Sequence, residues 1–129
     1  MSFTIAQTAV KTGISAYTLR YYDKEGLLPF VKRDRNGNRD FTEEDFEWLS
    51  FIVCLKNTGM PIKNIKAYIK LLQEGDPTLE RRLQVFRQQK KAVEKQIAEL
   101  EDYMKKIDYK IWYYETAVEA GTEEVHWKT

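Results

Sequence analysis

The chain has 129 residues, room for one small domain and an extended element but not for two full cores. Charged residues make up 32% of it while the net charge is only +1, so overall charge carries no argument for nucleic-acid binding. The single cysteine, Cys54, excludes an intramolecular disulfide and fits a reducing compartment. There is no basic stretch followed by an apolar run at the N-terminus, and no apolar run approaches the ~18 residues that span a bilayer. A soluble cytoplasmic chain with no membrane partner is expected.

Charge is unevenly placed. Residues 11–39 carry seven Lys/Arg (Lys11, Arg20, Lys24, Lys32, Arg33, Arg35, Arg39) against three acids (Asp23, Glu25, Asp34), and residues 40–47 then carry five acids and no base. The basic stretch is either a phosphate-facing patch or a solvated charged face, and charge alone does not choose between them.

In chain order, Thr4 and Gln7 have the spacing of a capping box, and Ile5, Ala9 and Val10 give the helix they open an apolar face. Gly13 breaks that helix and Ile14 returns to the core. Ser15 is a suitable N-cap for a second helix, which Gly26 would end in a left-handed conformation. Leu19 anchors the inner face of this helix, while Tyr17, Thr18, Arg20, Tyr21 and Lys24 crowd the rest. Helix, glycine turn and second helix form the helix-turn-helix pattern, whose second helix normally enters the DNA major groove; many helical hairpins share the spacing. Residues 30–33 and 39–41 then form two short strands around Asp34-Arg35-Asn36-Gly37-Asn38, with Asn36-Gly37 predicting a type I′ turn. A basic hairpin in that place is a candidate wing, or else an ordinary solvated hairpin.

Thr42-Glu43-Glu44-Asp45 forms a second capping box with acids at the positive helix end. The helix it opens, 43–57, has apolar residues on nearly every side and so calls for burial on more than one face. Pro61 is placed as the first residue of a helix 61–73, with Ile62, Ile65, Tyr68, Ile69 and Leu72 in one stripe. Glu74-Gly75-Asp76-Pro77 breaks the chain, with Asp76-Pro77 as cap and first turn of the last helix. From there Leu79, Leu83, Phe86, Lys90, Val93, Ile97, Leu100, Met104, Ile107, Ile111, Tyr114 and Val118 follow alternate spacings of four and three, all but Lys90 apolar or aromatic. That heptad seam argues for a coiled coil. At about 1.5 Å per residue it runs for roughly 60 Å, too long for the small domain before it to cover. Homodimerisation through Leu79, Leu83, Phe86, Val93, Ile97, Leu100, Met104, Ile107 and Ile111 is the economical answer; a long helix folded back on its own domain is the alternative.

The chain resembles the MerR family of bacterial transcription regulators. The resemblance rests on Ile5-Ala6-Gln7-Thr8-Ala9, on Thr18-Leu19-Arg20-Tyr21-Tyr22-Asp23-Lys24-Glu25-Gly26-Leu27-Leu28, on Asn38-Arg39-Asp40-Phe41 before an acidic helix start, and on Leu55-Lys56-Asn57-Thr58-Gly59-Met60-Pro61-Ile62. It implies a mainly α fold: a winged helix-turn-helix DNA-binding domain over residues 1–75, including two further helices, then a long coiled-coil dimerisation helix over 76–120 and a polar tail over 121–129. It implies a homodimer on double-stranded promoter DNA that bends and untwists an over-long spacer so that RNA polymerase can engage, a use of indirect readout. Tyr17, Thr18, Arg20 and Tyr21 are the expected recognition-helix contacts, with Arg33, Arg35, Asn36, Gly37 and Arg39 in the wing. Tyr22 either reaches a phosphate or packs inward, and Lys56, with the amides near Pro61, makes a further phosphate site.

With only Cys54 and His126 as soft ligands, no metal site and no cofactor are expected. The segment around Cys54, with Glu74-Gly75-Asp76, resembles that of small family members that answer aldehydes or other electrophiles through one cysteine. Cys54 is then either an effector-sensing thiol or an inert small hydrophobe. Trp112, Tyr113 and Tyr114 form either an effector pocket or a dimer contact with the partner's helix 43–57, and His126 and Trp127 are expected in solvent. No carboxylate pair or nucleophile–base set appears, so an enzyme is not expected. The competing reading is a coiled-coil adaptor that does not bind DNA.

Overall fold

The computed structural model describes residues 2–127. The element order is α1 (Ile5–Thr12), α2 (Ala16–Lys24), β1 (Lys32–Arg33), β2 (Arg39–Asp40), α3 (Glu43–Asn57), α4 (Ile62–Glu74), a 3-10 turn (Asp76–Thr78), α5 (Leu79–Ala120) and a second 3-10 turn (Glu123–His126). Compact packing divides the chain after Gln89, inside α5.

In the first unit, local chemistry sets the helix ends. Thr4 Oγ1 accepts the Gln7 amide at 3.1 Å and Gln7 Oε1 accepts the Thr4 amide at 2.9 Å, a reciprocal capping box. Gly13 stops α1 at φ 74°, a conformation that costs glycine nothing. Ser15 Oγ accepts the Thr18 amide at 3.1 Å, and α2 ends with Gly26 at φ 77° and the Leu27 amide reaching back to Tyr22 O at 2.9 Å. At the start of α3, Asp45 Oδ2 accepts both the Thr42 amide (2.9 Å) and its hydroxyl (3.1 Å).

The hairpin pairs Lys32 with Asp40 and Arg33 with Arg39. Its turn is not type I′, because only Gly37 has positive φ (82°) and Asn36 does not. Instead the Asp34 amide meets Asn38 O at 2.8 Å and the Gly37 amide meets Asp34 O at 3.1 Å. This is a type I turn closed by a left-handed glycine, the three-residue hairpin loop. Asp34 Oδ1 also accepts the amides of Asn36 (2.9 Å) and Asn38 (3.0 Å), which favours this turn over the mirror-image one. Phe3 and Phe41 exchange backbone bonds of 2.8 and 2.9 Å, tying the N-terminal segment to the hairpin.

Leu19, Leu27, Leu28, Phe41, Leu49, Ile52 and Ile65 have no exposed surface and form the centre of the core. Trp48 closes one side, its Nε1 donating to Leu27 O at 3.2 Å. Pro61 caps α4 from outside, and Asp76-Pro77 belongs to a separate 3-10 turn, so both helices start slightly later than the sequence suggests. The buried Thr78 hydroxyl lies 2.7 Å from Leu71 O and 2.8 Å from Gly75 O, fixing the α4–α5 junction. The first turns of α5 pack on this unit. Val85 and Phe86 lie against its core, and Gln89 Nε2 donates to Thr58 Oγ1 at 2.7 Å. Phe86 is therefore committed within the chain, in ring contact with Tyr68 and Phe51, and is corrected from seam to core.

In the second unit, Ile97, Leu100, Met104, Ile107 and Ile111 are each more than half exposed, Leu100 at 64%. The tail is not simply solvated. The His126 ring stacks on Tyr113 with centroids 4.2 Å apart, and its Nε2 lies 2.9 Å from Tyr113 O and 2.6 Å from Thr116 Oγ1. A carbonyl only accepts, so Nε2 carries a proton. Trp127 Nε1 donates to Tyr113 Oη at 3.3 Å, although the indole stays 62% exposed. Lys128 and Thr129 of the expected tail, and Met1, lie outside the described residues. No helix among the described residues is long and apolar enough to cross a membrane.

Truncating a side chain at the centre of the first unit leaves a cavity. Leu49→Ala is expected to lower unfolding stability by about 3 kcal/mol, measured as a shift of the urea midpoint with unchanged slope.

Candidate nucleic-acid interface

Helix α2 displays one face and buries the other. Tyr17 is 82% exposed and Arg20 is exposed beside it, while Thr18 is half-buried, its backbone amide and hydroxyl both engaged by Ser15 Oγ. The opposite face gives Leu19 and Tyr22 to the core. Tyr22, only 2% exposed, gives its ring to the core. Burial, with the neighbouring Tyr21 adding to it, pushes the Tyr22 phenol above its ordinary pKa, so it stays neutral.

The hairpin stands next to this helix because of Asp23. Arg39 Nε donates to Asp23 Oδ1 at 2.9 Å, a second guanidinium nitrogen approaches the same oxygen at 2.8 Å, and the third donates to Val31 O. The Arg39 side chain is only 16% exposed. It is a strut between α2 and the hairpin, not the outward wing cation that the sequence suggested. Arg33 adds a looser 3.7 Å approach to Asp23 and donates to Gly37 O at 2.8 Å, yet remains half exposed. Arg35 and Asn36 are exposed at the tip. Between helix and hairpin lies a hollow of about 410 Å³, lined by Arg20, Asp23, Arg33 and Arg39 among others. Of the three acids there, Asp23 is engaged by two guanidiniums and Asp34 by two backbone amides, and Asp40 is the third. The outward charge is accordingly that of Arg20, Lys32, Arg33 and Arg35.

Lys56, from the last turn of α3, lies over two rings of α2. Its ammonium is 5.3 Å from the centroid of Tyr21 and 5.5 Å from that of Tyr22. This cation–π contact holds an exposed cation beside α2. Two amides at the start of α4, those of Ile62 and Lys63, fall within the unpaired first turn of that helix. Cys54, one turn before Thr58 on α3, has an exposed side chain, so it is not a core hydrophobe within this chain. Its carbonyl accepts from the Thr58 hydroxyl at 2.8 Å.

Two functional residues escaped the sequence reading. Asp23 counted as a charge and as one residue of the Thr18–Leu28 run, with no part in setting the hairpin, which it positions. Gln89, which ties α5 to the end of α3, had no distinguishing local pattern. Asp23 did carry a signal, as one acid facing a strongly basic stretch.

The sequence profile of MerR HTH family regulatory proteins matches residues 3–72, and a MerR DNA-binding profile matches residues 46–109. An uncharacterised HTH-type transcriptional regulator of Haemophilus influenzae is 52% identical over 95% of this chain and 90% of its own. The HTH-type transcriptional regulator AdhR of Bacillus subtilis is 46% identical over 64% of this chain and 59% of its own. Among solved structures, HiNmlR, a MerR family regulator lacking the sensor domain and crystallised on promoter DNA, is 51% identical and superposes with a TM-score of 0.88 over 97% of this chain and 99% of its own. An exposed Tyr-Arg helix braced to a basic hairpin, together with these relationships, places the chain in the MerR family of DNA-binding transcriptional regulators, in the branch that includes AdhR and NmlR.

Proposed function

We propose that the chain binds a promoter as a homodimer, with α2 of each copy in the major groove and each hairpin resting on phosphates. The carrying observation is the pairing of Tyr17 and Arg20 on α2 with Arg33 and Arg35 on a hairpin held beside it by Asp23. The promoter DNA in the HiNmlR structure supports the reading. Arg20 is the candidate for reading base edges, and Tyr17, Thr18 and Tyr21 frame it. Arg33, Arg35, Lys56 and the first amides of α4 supply positioning contacts, with Asn36 and Gly37 at the tip of the wing. Arg39 serves by holding the wing in place.

The dimer forms through the exposed seam of α5, chiefly Ile97, Leu100, Met104, Ile107 and Ile111, with Leu79, Leu83 and Val93 towards its start. Two copies joined by a long stiff helix pair can hold two half-sites at a distance that DNA meets only when bent and untwisted. That deformation would realign an over-long spacer for RNA polymerase, its cost offset by the protein contacts. Cys54 serves as the sensing thiol in this scheme. Its thiolate adds to the carbonyl carbon of an aldehyde while the oxygen takes up a proton. The adduct would sit half a turn from Lys56, which contacts α2.

Four variants test this scheme. On duplexes carrying an inverted repeat and on unrelated duplexes, Arg35→Ala should weaken binding alike and lower the salt slope by about one for each half-site phosphate it no longer neutralises. Arg20→Ala should cost about 1–3 kcal/mol and blunt discrimination against altered half-sites, and a salt-insensitive affinity in the parent protein would favour the adaptor. Leu100→Lys combined with Ile107→Lys should give a monomer by sedimentation, with helix content retained in the first unit. Cys54→Ser should abolish the aldehyde response of a reporter promoter while leaving operator affinity unchanged; a retained response removes the sensor assignment.

A further inference from the structure

Helix α5 is tied to the first unit by polar contacts at two levels, and they differ in reach. At its base, Arg82 Nε donates to Thr78 Oγ1 at 3.0 Å and a second guanidinium nitrogen donates to Gly75 O at 3.1 Å, four and seven residues back. Two turns further on, Gln89 reaches back 31 residues to the end of α3. Its Nε2 donates to Thr58 Oγ1 at 2.7 Å and to Thr58 O at 3.3 Å. Val85 and Phe86 pack on the core between these levels, and apolar burial of that kind is non-directional.

The Gln89 contact has a defined sense. The Thr58 hydroxyl gives its proton to Cys54 O at 2.8 Å, which leaves its oxygen to accept, and the Thr58 carbonyl only accepts. Both acceptors therefore select the NH2 end of the Gln89 amide. Thr58 is the C-cap of α3 and is half-buried, as is Gln89, so the pair lies in a setting that strengthens a hydrogen bond. The same last turn of α3 carries Lys56, whose ammonium lies over Tyr21 and Tyr22 of α2. One turn of helix thus joins the Gln89 tie to α2.

Two fixed points define an axis. Helix α5 runs from Leu79 to Ala120 with no glycine or proline inside it, so a change in how its first turns are held is carried along its length. At about 1.5 Å per residue the ~31 residues beyond Gln89 span roughly 46 Å. A tilt of about 5° at the base moves the far end by roughly 4 Å, close to the ~3.4 Å rise of one base pair.

We propose that Gln89 and Thr58 are positioning residues for DNA binding. Their bond sets the direction in which α5 leaves the first unit, and so the half-site separation that the dimer accepts, an inference that rests on the homodimer proposed above.

The test takes the inverted repeat that the full chain selects from a random duplex pool. That duplex is remade with one base pair added to or removed from its centre, and separately with one half-site scrambled. The parent should prefer the selected separation over its neighbours by about tenfold or more. Thr58→Val and Gln89→Met keep size and remove one partner each. Each should reduce that preference about fivefold, with affinity for the single intact half-site unchanged. The double variant should be no worse than either single, and Thr58→Ser, which retains the hydroxyl, should keep the parent's preference. An unchanged preference in both single variants, or losses that multiply in the double, would overturn the proposal. So would an equal loss on the single half-site, which marks general damage to the first unit. A parent that sediments as a monomer, or selects no paired half-sites, would overturn the homodimer and this proposal with it.

Discussion

One carboxylate sets the relation between the two elements of the interface. Helix α2 and the hairpin are both basic, and Arg20, Lys24, Arg33, Arg35 and Arg39 would repel one another if brought together without a counter-charge. Asp23 supplies it from inside, taking Arg39 at 2.8 Å in a partly buried pair and Arg33 at 3.7 Å on its outer side. Charge-assisted bonds of this kind are directional as well as attractive. They turn Arg39 inward and leave Arg20, Lys32, Arg33 and Arg35 outward.

Much of this could be read in the sequence, and the boundary between legible and illegible follows interaction range. Thr4 with Gln7, Ser15 with Thr18, and the stops at Gly13 and Gly26 are contacts within a few residues, so their spacing encodes them. The exposed stripe at Ile97, Leu100, Met104, Ile107 and Ile111 is periodic and equally plain. Tyr22, Arg39 and Phe86 were harder because each belongs to a favourable local pattern and is claimed by a distant partner. Arg39 looks like any wing arginine until Asp23, sixteen residues earlier, takes it. Phe86 keeps heptad phase, yet the rings of Tyr68 and Phe51 hold it.

The turn at Asn36-Gly37 shows a local failure of a different sort. Both the type I′ turn and the type I turn with a left-handed glycine accept that dipeptide. The carboxylate of Asp34, accepting two amides of the loop, tips the choice. His126 is the converse case, a residue in a polar tail whose ring found Tyr113 and Thr116 thirteen and ten positions back. Helix α5 likewise carries two phases: Arg82, Val85, Phe86 and Gln89 serve the first unit, and the seam beyond them faces outward.

The wing's turn has one further consequence. Asp34 and Gly37 carry its geometry, one through its carboxylate and the other through its φ of 82°, whereas the side chains of Arg35 and Asn36 are exposed and hold no hydrogen bond or ion pair among the described residues. After a gene duplication those two positions can drift without loosening the hairpin. A daughter copy could change the charge at its tip while inheriting an intact scaffold, so divergence among paralogues should concentrate there and spare the residues on either side.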